Sequence, residues 1–400
     1  MAASGVEEGE KLKSWFLASP KAIISNGGLT AAMGTLMDYK PIFQVTSSII
    51  KNLGKIEAVK EIVETLVIPI ALEESFRKEA STKATHYSTK IEGNRLTLKQ
   101  TKELLMGKDI VAREIDKREV MNYYNCLEWI GKVSTPKDLI SEKTIKQLHG
   151  MIQKGIVKGK LLGEYREAQN AIFDSITRKA VYFPPEVKDV GVLMKGLVKW
   201  LGEKTDVHAI LKAGVAHYQL VTIHPLMDGN GRTARALATL ILYREKYDLK
   251  GFYSLEGYYA EDLKGYYNAL HECQEVHYYD NPNPDITPWL DYFVKGAAIV
   301  FEEVKEKVLD LNKKTVSKRG LKDVKLLEAV GPREKRLLTY FHNHLQLRTK
   351  DLCGIFHVKD RTARDMLAKW VKEGFIVKRG SGKKDAYYVL SENYRRLIGG

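Results

Sequence analysis

The chain has 400 residues, 44% of them hydrophobic and 28% charged, with a formal net charge of +14. That is apolar material for more than one core, so two or three domains are expected. Three scattered cysteines (Cys126, Cys273, Cys353) with no C-x-x-C pair argue against a disulfide framework or a zinc ribbon, and no apolar run approaches the ~20 residues of a membrane span. The start, "MAASGVEEGEKLKSWFLASPK", carries acids where a signal peptide has a basic region, so a soluble cytoplasmic protein is expected.

Residues 1–39 match no pattern and read as an N-terminal extension. Apolar residues at three- and four-residue spacing over Ile56–Leu66, Leu72–Thr89 and Leu96–Leu105 give a helical region across 40–115. A second region, 116–305, opens with helical patterns at Arg118–Gly131 and Glu142–Lys154. Strand-like sequence there is confined to "NAIFDSITRKAVYFPP", two β-prone arms around a polar turn, closed by Pro184 and Pro185. Helical spacing returns over Val190–Leu201, Ala209–Thr222, Thr233–Lys246, Ala260–Gln274 and Pro288–Lys307. The basic, less apolar "LNKKTVSKRG" reads as a linker or a helix end within 306–330.

The last module, 331–396, reads as a winged helix-turn-helix. "REKRLLTYFHNH" gives a first helix, "TKDLCGIF" a second capped by Thr349, and a third starts at Asp360, followed by strand, Gly-rich basic tip and strand in "FIVKRGSGKKDAYYVL". The whole chain is therefore mainly α. Residues 311–400 hold 22 Lys and Arg against 9 Asp and Glu, which is +13 of the total +14. Positive charge so concentrated suits a polyanion such as duplex DNA. Lys359, Arg361, Thr362 and Arg364 lie at the start of the third helix, where such a fold meets the major groove, and Lys378, Arg379, Lys383 and Lys384 on the wing would meet phosphates. Winged helices also bind proteins, so both partner classes stay open.

The densest chemistry lies at residues 224–235, "HPLMDGNGRTAR". Its glycines permit backbone angles other residues resist and leave room for close approach. Such a turn aims several N–H groups into one concavity, and a helix starting near Thr233 adds its positive end, which together suit a phosphate. Arg232 and Arg235, three apart, present planar two-pronged donors to one anion. Asp228 offers the hard oxygen that Mg²⁺ takes when shared with phosphates and water. His224 supplies an imidazole able to accept a proton at neutral pH. Together these suit transfer of a phosphate-linked group to a hydroxyl. Other nucleotide signatures are missing: "RGSGKKD" lacks the spacing and the Ser or Thr of a P-loop, and His271 and His277 of "HECQEVH" are six apart rather than the four a zincin needs.

The stretch resembles the signature of Fic domains, H-x-F-x-[D/E]-G-N-G-R-x-x-R, at every stated position except Leu226, where the family usually has phenylalanine. The resemblance spans roughly residues 40–305 and implies a helical core with a β-hairpin flap. It also implies transfer of AMP from ATP, with Mg²⁺, to a side-chain hydroxyl of a target protein, this chain itself included. By position, His224 would be the base and Asp228 the metal ligand. Gly229, Asn230, Gly231 and Arg232 would hold the phosphates, and Arg235 the γ-phosphate. Upstream, "STKIEG" resembles the family's inhibitory helix, which implies that Glu92 pairs with Arg235, with Ser88 one turn earlier. The hairpin falls where the family has its flap, making Ile172, Phe173, Val181 and Tyr182 the target-docking residues by strand addition. "LKGYYNAL" resembles the segment that places Tyr266, Tyr267 and Asn268 near the nucleotide base. Three readings stay open on these residues: a self-inhibited adenylyltransferase; a Doc-like kinase or a remover of AMP in the same pocket, with Glu92 positioning water; and a DNA-binding regulator with a nucleotide-sensing core.

Overall fold

A computed structural model describes residues 39–66, 68, 70–133, 140–157, 159–173, 179–328, 330–356, 358–380 and 386–395. The expected extension over residues 1–39, apart from Tyr39, lies outside them. The chain divides into two compact units, one within residues 39–62 and 77–304, the other within 63–76 and 305–395.

The described helices of the first part run in the order α1 (Ser47–Thr65), α2 (Ile70–Ile91), α3 (Leu98–Leu105), α4 (Glu114–Val133) and α5 (Glu142–Ile152). Two short antiparallel strands follow, β1 (Ile172–Phe173) and β2 (Ala180–Tyr182), then α6 (Val187–Gly202), α7 (Ala209–Ile223), α8 (Asn230–Arg244), α9 (Leu255–Glu261), α10 (Leu263–His271) and α11 (Thr287–Glu328). The first unit is organised around α7 and α8. Both are buried on nearly every face, as expected of central rather than surface helices. Small residues allow this: a Cβ on Gly214 of α7 would lie 2.8 Å from the Leu290 side chain, and Trp289 Nε1 donates to the Gly214 carbonyl at 2.8 Å. The loop joining α7 to α8, residues 224–229, is therefore fixed at both ends by the best-packed elements of the unit.

Several boundaries differ from the sequence reading, each for a local reason. Helix α1 starts at Ser47 because the Thr46 hydroxyl accepts the Ile49 N–H at 3.1 Å. Helix α8 begins at Asn230 rather than near Thr233, because Gly229 adopts φ 80° and turns the chain directly into it. The pattern over 260–274 is two helices: Asp262 leaves helical geometry (φ −115°, ψ 54°) and its carboxylate caps Gly265 N. The segment expected as a linker, 306–330, is helical up to Glu328. The hairpin's arms pair Ile172 with Tyr182 and Phe173 with Ala180, while residues 174–178 lie outside the described residues.

The second unit contains α12 (Pro332–Asn343), α13 (Thr349–Phe356), α14 (Asp360–Lys372), β3 (Ile376–Arg379) and β4 (Tyr387–Leu390), followed by the single turn α15 (Glu392–Arg395). Strands β3 and β4 pair antiparallel from Ile376↔Leu390 to Arg379↔Tyr387, and Leu347 forms a separate antiparallel bridge with Tyr388. Ala363, Met366, Leu367 and Trp370 occupy one face of α14 and pack into a core with Leu337, Phe341 and Leu390. The order of helices and strands is the one the sequence implied.

Candidate active site

Helix α7 stops at Ile223, and His224 takes left-handed backbone angles (φ 49°, ψ 53°), unusual for a residue with a Cβ. Three bonds hold it there: its N–H reaches the Leu220 carbonyl at 3.0 Å, and its own carbonyl accepts Arg166 Nε at 2.9 Å, while Arg166 N donates to the Pro225 carbonyl at 2.8 Å. The Arg166 guanidinium also donates to the Pro185 carbonyl, so one buried side chain ties the loop to the base of the hairpin. His224 Nδ1 lies 3.1 Å from the Val221 carbonyl. A carbonyl can only accept, which assigns the ring proton to Nδ1 and leaves Nε2 as acceptor. Burial pulls the imidazole pKa down to about 4, and the Arg166 charge pushes the same way. At neutral pH the ring is an uncharged base.

The rest of the loop is braced from within. Asn230 Oδ1 accepts Leu226 N at 2.9 Å and its Nδ2 donates to the Leu226 carbonyl at 2.8 Å, closing a ring across the turn. Asn230, expected on the phosphates, is thus spent on shaping the loop that would bind them. Leu226, where the resembling signature has phenylalanine, is fully buried and serves as a packing residue under the loop. A Cβ at Gly229 would stand 2.3 Å from Gln153 Nε2, which itself donates to Asp228 Oδ2 at 3.2 Å. Asp228 Oδ1 accepts the Gly229 N–H at 2.6 Å. Arg232 is 1% exposed, and its Nη1 meets Glu119 Oε1 at 2.8 Å while Nη2 lies 3.5 Å from Asp228 Oδ2. Expected among the phosphate ligands, Arg232 instead sits behind the loop as a buried, carboxylate-paired cation.

Arg235 is the arginine that lines the cleft. Its Nε donates to Ser88 Oγ at 2.8 Å, and Nη2 donates to the Ser88 carbonyl at 3.0 Å and to Glu92 Oε1 at 2.8 Å. Burial alone pulls the Arg235 guanidinium pKa down, but the Glu92 carboxylate, with Tyr266 and Tyr123, more than offsets this and holds it above its ordinary value. Glu92 stands just past the end of α2, where Gly93 (φ 92°) turns the chain away. A Cβ on Gly231 would fall 2.2 Å from Glu92 Oε1, so the carboxylate lies directly over the Gly231 backbone. The cleft is lined by Glu92, Ile172, His224, Gly231, Arg235 and Tyr267 among others. Base, anion loop and Glu92 therefore share one concavity.

The remaining expectations divide. Tyr266 and Tyr267 line the cleft, Tyr266 with its hydroxyl 2.9 Å from His217 Nε2; Asn268 is exposed and turned away from it. Ile172 faces the cleft, and Phe173 and Val181 are half-buried. Tyr182, expected to dock a target, is buried and donates to the Thr222 carbonyl at 2.9 Å, because the alternation of β2 turns it inward. In the second unit Lys359, Arg361, Thr362, Arg364, Lys378 and Arg379 are exposed, with Arg364 paired to Asp360; Lys383 and Lys384 lie outside the described residues. Sequence reasoning missed Arg166, Gln153, Glu119 and Asn94. None has a periodicity or a motif that marks it, since their roles arise from contacts between distant segments.

No group of three or more His, Cys, Asp or Glu side chains gathers among the described residues. The half-buried Asp228 carboxylate, with hydrogen-bond partners already fixing its orientation, nonetheless fits a divalent cation whose other ligands are phosphate and water.

Residues 139–242 match the family model described as Fic/DOC family. Curated relatives include the protein adenylyltransferase Fic of Drosophila erecta and that of Drosophila melanogaster, each 33% identical over 177 residues, 43% of this chain and 34% of theirs. The chain thus spans about a third of the length of these relatives. Among solved structures, a Fic family protein from Desulfovibrio desulfuricans aligns over 88% of this chain and 99% of its own, with a TM-score of 0.57 at 23% identity. A Fic domain-containing signaling protein from Bacteroides thetaiotaomicron aligns over 66% of this chain and 98% of its own, with a TM-score of 0.55 at 23% identity. At that identity the likeness is one of fold.

Proposed function

We propose that this chain, whose residues 139–242 match the Fic/DOC family model, is a self-inhibited protein adenylyltransferase. The observation that carries the reading is the 2.8 Å pair between Glu92 and Arg235 inside the cleft that also holds His224. The curated relatives named for this activity support the chemistry, and the site supports each part of it.

In the proposed reaction a target hydroxyl enters beside the hairpin and attacks the α-phosphorus of ATP. The new bond joins the hydroxyl oxygen to that phosphorus, the bond to the bridging α–β oxygen breaks, and pyrophosphate leaves. The hydroxyl proton passes to His224 Nε2, the free lone pair of a ring whose other nitrogen is fixed on Val221. The N–H groups of Asn230 and Gly231, in the first turn of α8, and the Arg235 guanidinium receive the phosphates, with Gly229 shaping the turn that aims them. Mg²⁺ held by Asp228 would neutralise charge developing on the leaving pyrophosphate. Tyr267 and Tyr266 border the space left for the base.

Glu92 inhibits by occupation: its carboxylate uses the guanidinium edge and the space over Gly231 that phosphate oxygens require. Misplacing a reacting centre by about 1 Å can cost on the order of 10²-fold, so ATP need not be excluded for transfer to fail. The test is incorporation of α-labelled ATP, with intact mass of the labelled protein, for wild type and variants. Glu92→Gly is expected to label strongly with an AMP-sized mass increase, Glu92→Asp to a lesser extent, and Arg235→Ala not at all. Adding His224→Ala to Glu92→Gly should remove labelling while nucleotide binding persists. A phosphate-sized increase would establish the kinase alternative, and labelling by wild type equal to that of Glu92→Gly would end the inhibition claim.

The second unit supports a separate reading as a winged helix that binds duplex DNA, because Lys359, Arg361, Lys378 and Arg379 are all exposed and unshielded by burial. Binding whose log affinity falls linearly with log salt would establish it.

A further inference from the structure

Behind the anion loop lies a polar connection that joins the inhibitory segment to the metal carboxylate. Asn94, two residues after Glu92, is buried and donates from Nδ2 to Glu119 Oε2 at 2.8 Å and to the Asp116 carbonyl at 3.0 Å. Glu119 Oε1 accepts Arg232 Nη1 at 2.8 Å. Arg232 Nη2 then reaches Asp228 Oδ2 at the longer distance of 3.5 Å. Arg232 Nε has no hydrogen-bond partner.

A cation this buried requires a negative partner, and two carboxylates are in reach. The distances assign it to Glu119. Asp228 is left in loose contact, with Gln153 at 3.2 Å on the same oxygen. Were Glu119 neutral, Arg232 would have Asp228 as its nearest anion and would draw that carboxylate in, away from a divalent cation. The second Glu119 oxygen meanwhile holds Asn94, and with it the turn through Gly93 that presents Glu92 to Arg235. We propose that Glu119 is a positioning residue for transfer: it neutralises Arg232 so that Asp228 is free for the cation, and through Asn94 it anchors the turn that carries the inhibitory glutamate. This rests on the adenylyltransferase reading for the meaning of Asp228 and Glu92.

The test uses the full chain. Mn²⁺ binding in the presence of ATP, read by electron paramagnetic resonance, is compared between Glu92→Gly and Glu92→Gly with Glu119→Gln. The glutamine is expected to weaken Mn²⁺ on the order of 10–100-fold, the range for partners that orient metal ligands. It should also raise the Mg²⁺ concentration at half-maximal transfer, with excess Mg²⁺ restoring the rate. Adding Glu119→Asp instead, which keeps the charge, should hold Mn²⁺ affinity within about threefold, as a fully paired Arg232 requires. Unchanged Mn²⁺ affinity in the glutamine variant overturns the proposal. Asn94→Ala keeps the Glu119–Arg232 pair and tests the other arm even if Glu119→Gln does not fold. It should raise labelling in the chain that retains Glu92 and leave Mn²⁺ affinity, measured with Glu92→Gly, unchanged; no rise overturns that arm. Mn²⁺ binding is read without transfer, so a shift in a chain that labels nothing would sink the adenylyltransferase reading and leave the positioning role standing.

Discussion

At the scale of single residues, the base role proposed for His224 predicts the acid limb of activity. Its folded pKa lies near 4 rather than 6.5, so the neutral, proton-accepting ring persists well below the usual range. For the Glu92→Gly chain, kcat/KM is expected to hold from pH 7 to about pH 5 and to fall only below that. An inflection near 6.5 would mean that the ring is solvated in the working enzyme. His224 and Arg235 were both legible in the sequence because their spacing follows a loop and a helix start. The partner of Arg232 was not legible: three-residue spacing puts two arginines on neighbouring faces of a helix, but nothing in the spacing says that Glu119, 113 positions away, faces one of them. The tyrosine of β2 was misjudged likewise, since both faces of a two-stranded ribbon look alike until one packs on α7.

Between residue and molecule, the junction of loop and helix α8 does the positioning. Gly229 combines φ 80° with a neighbour, Gln153, where its Cβ would be. Gly229→Ala should cost about 1–2 kcal/mol in strain, in the range for a side chain held in left-handed geometry, and should turn the loop N–H groups off their aim. A fall in ATP affinity with a small loss of thermal stability is the expected pair of readings from calorimetry. ATP affinity equal to that of the unmodified chain would show that the loop adapts. Most helices could be read from apolar spacing alone, because α4 to α6 each bury one consistent face. The exceptions have local causes that spacing does not encode. The break at Asp262 is made by a carboxylate capping Gly265, and α11 continues through a basic stretch whose composition suggested a linker.

For the molecule as a whole, the first unit carries several imidazoles that burial keeps uncharged. His86, His149 and His224 are each lowered to about 4, and His217 lies well below its ordinary value. An unfolded chain protonates these rings near 6.5, the folded one only at distinctly lower pH, so in that window the unfolded state binds more protons and stability is lost as the pH falls. Above pH 7 the contribution is fully present. Tm is expected to decline steadily between about pH 6.5 and pH 4.5, and a flat Tm over that range would mean that these rings are hydrated in the folded state.

In the proposed reading, Gly231 carries a consequence for any attempt to relieve the contact between Glu92 and Arg235. Where its side chain would be, Glu92 now rests, and a phosphate would rest after Glu92 leaves. Inhibitor and substrate are tenants of the same missing atoms. A methyl group added there evicts both at once, so the loop offers no substitution that admits one and refuses the other. In that reading release comes from the α2 side of the cleft, where Glu92 can be changed without altering the Gly231 floor proposed for the phosphates.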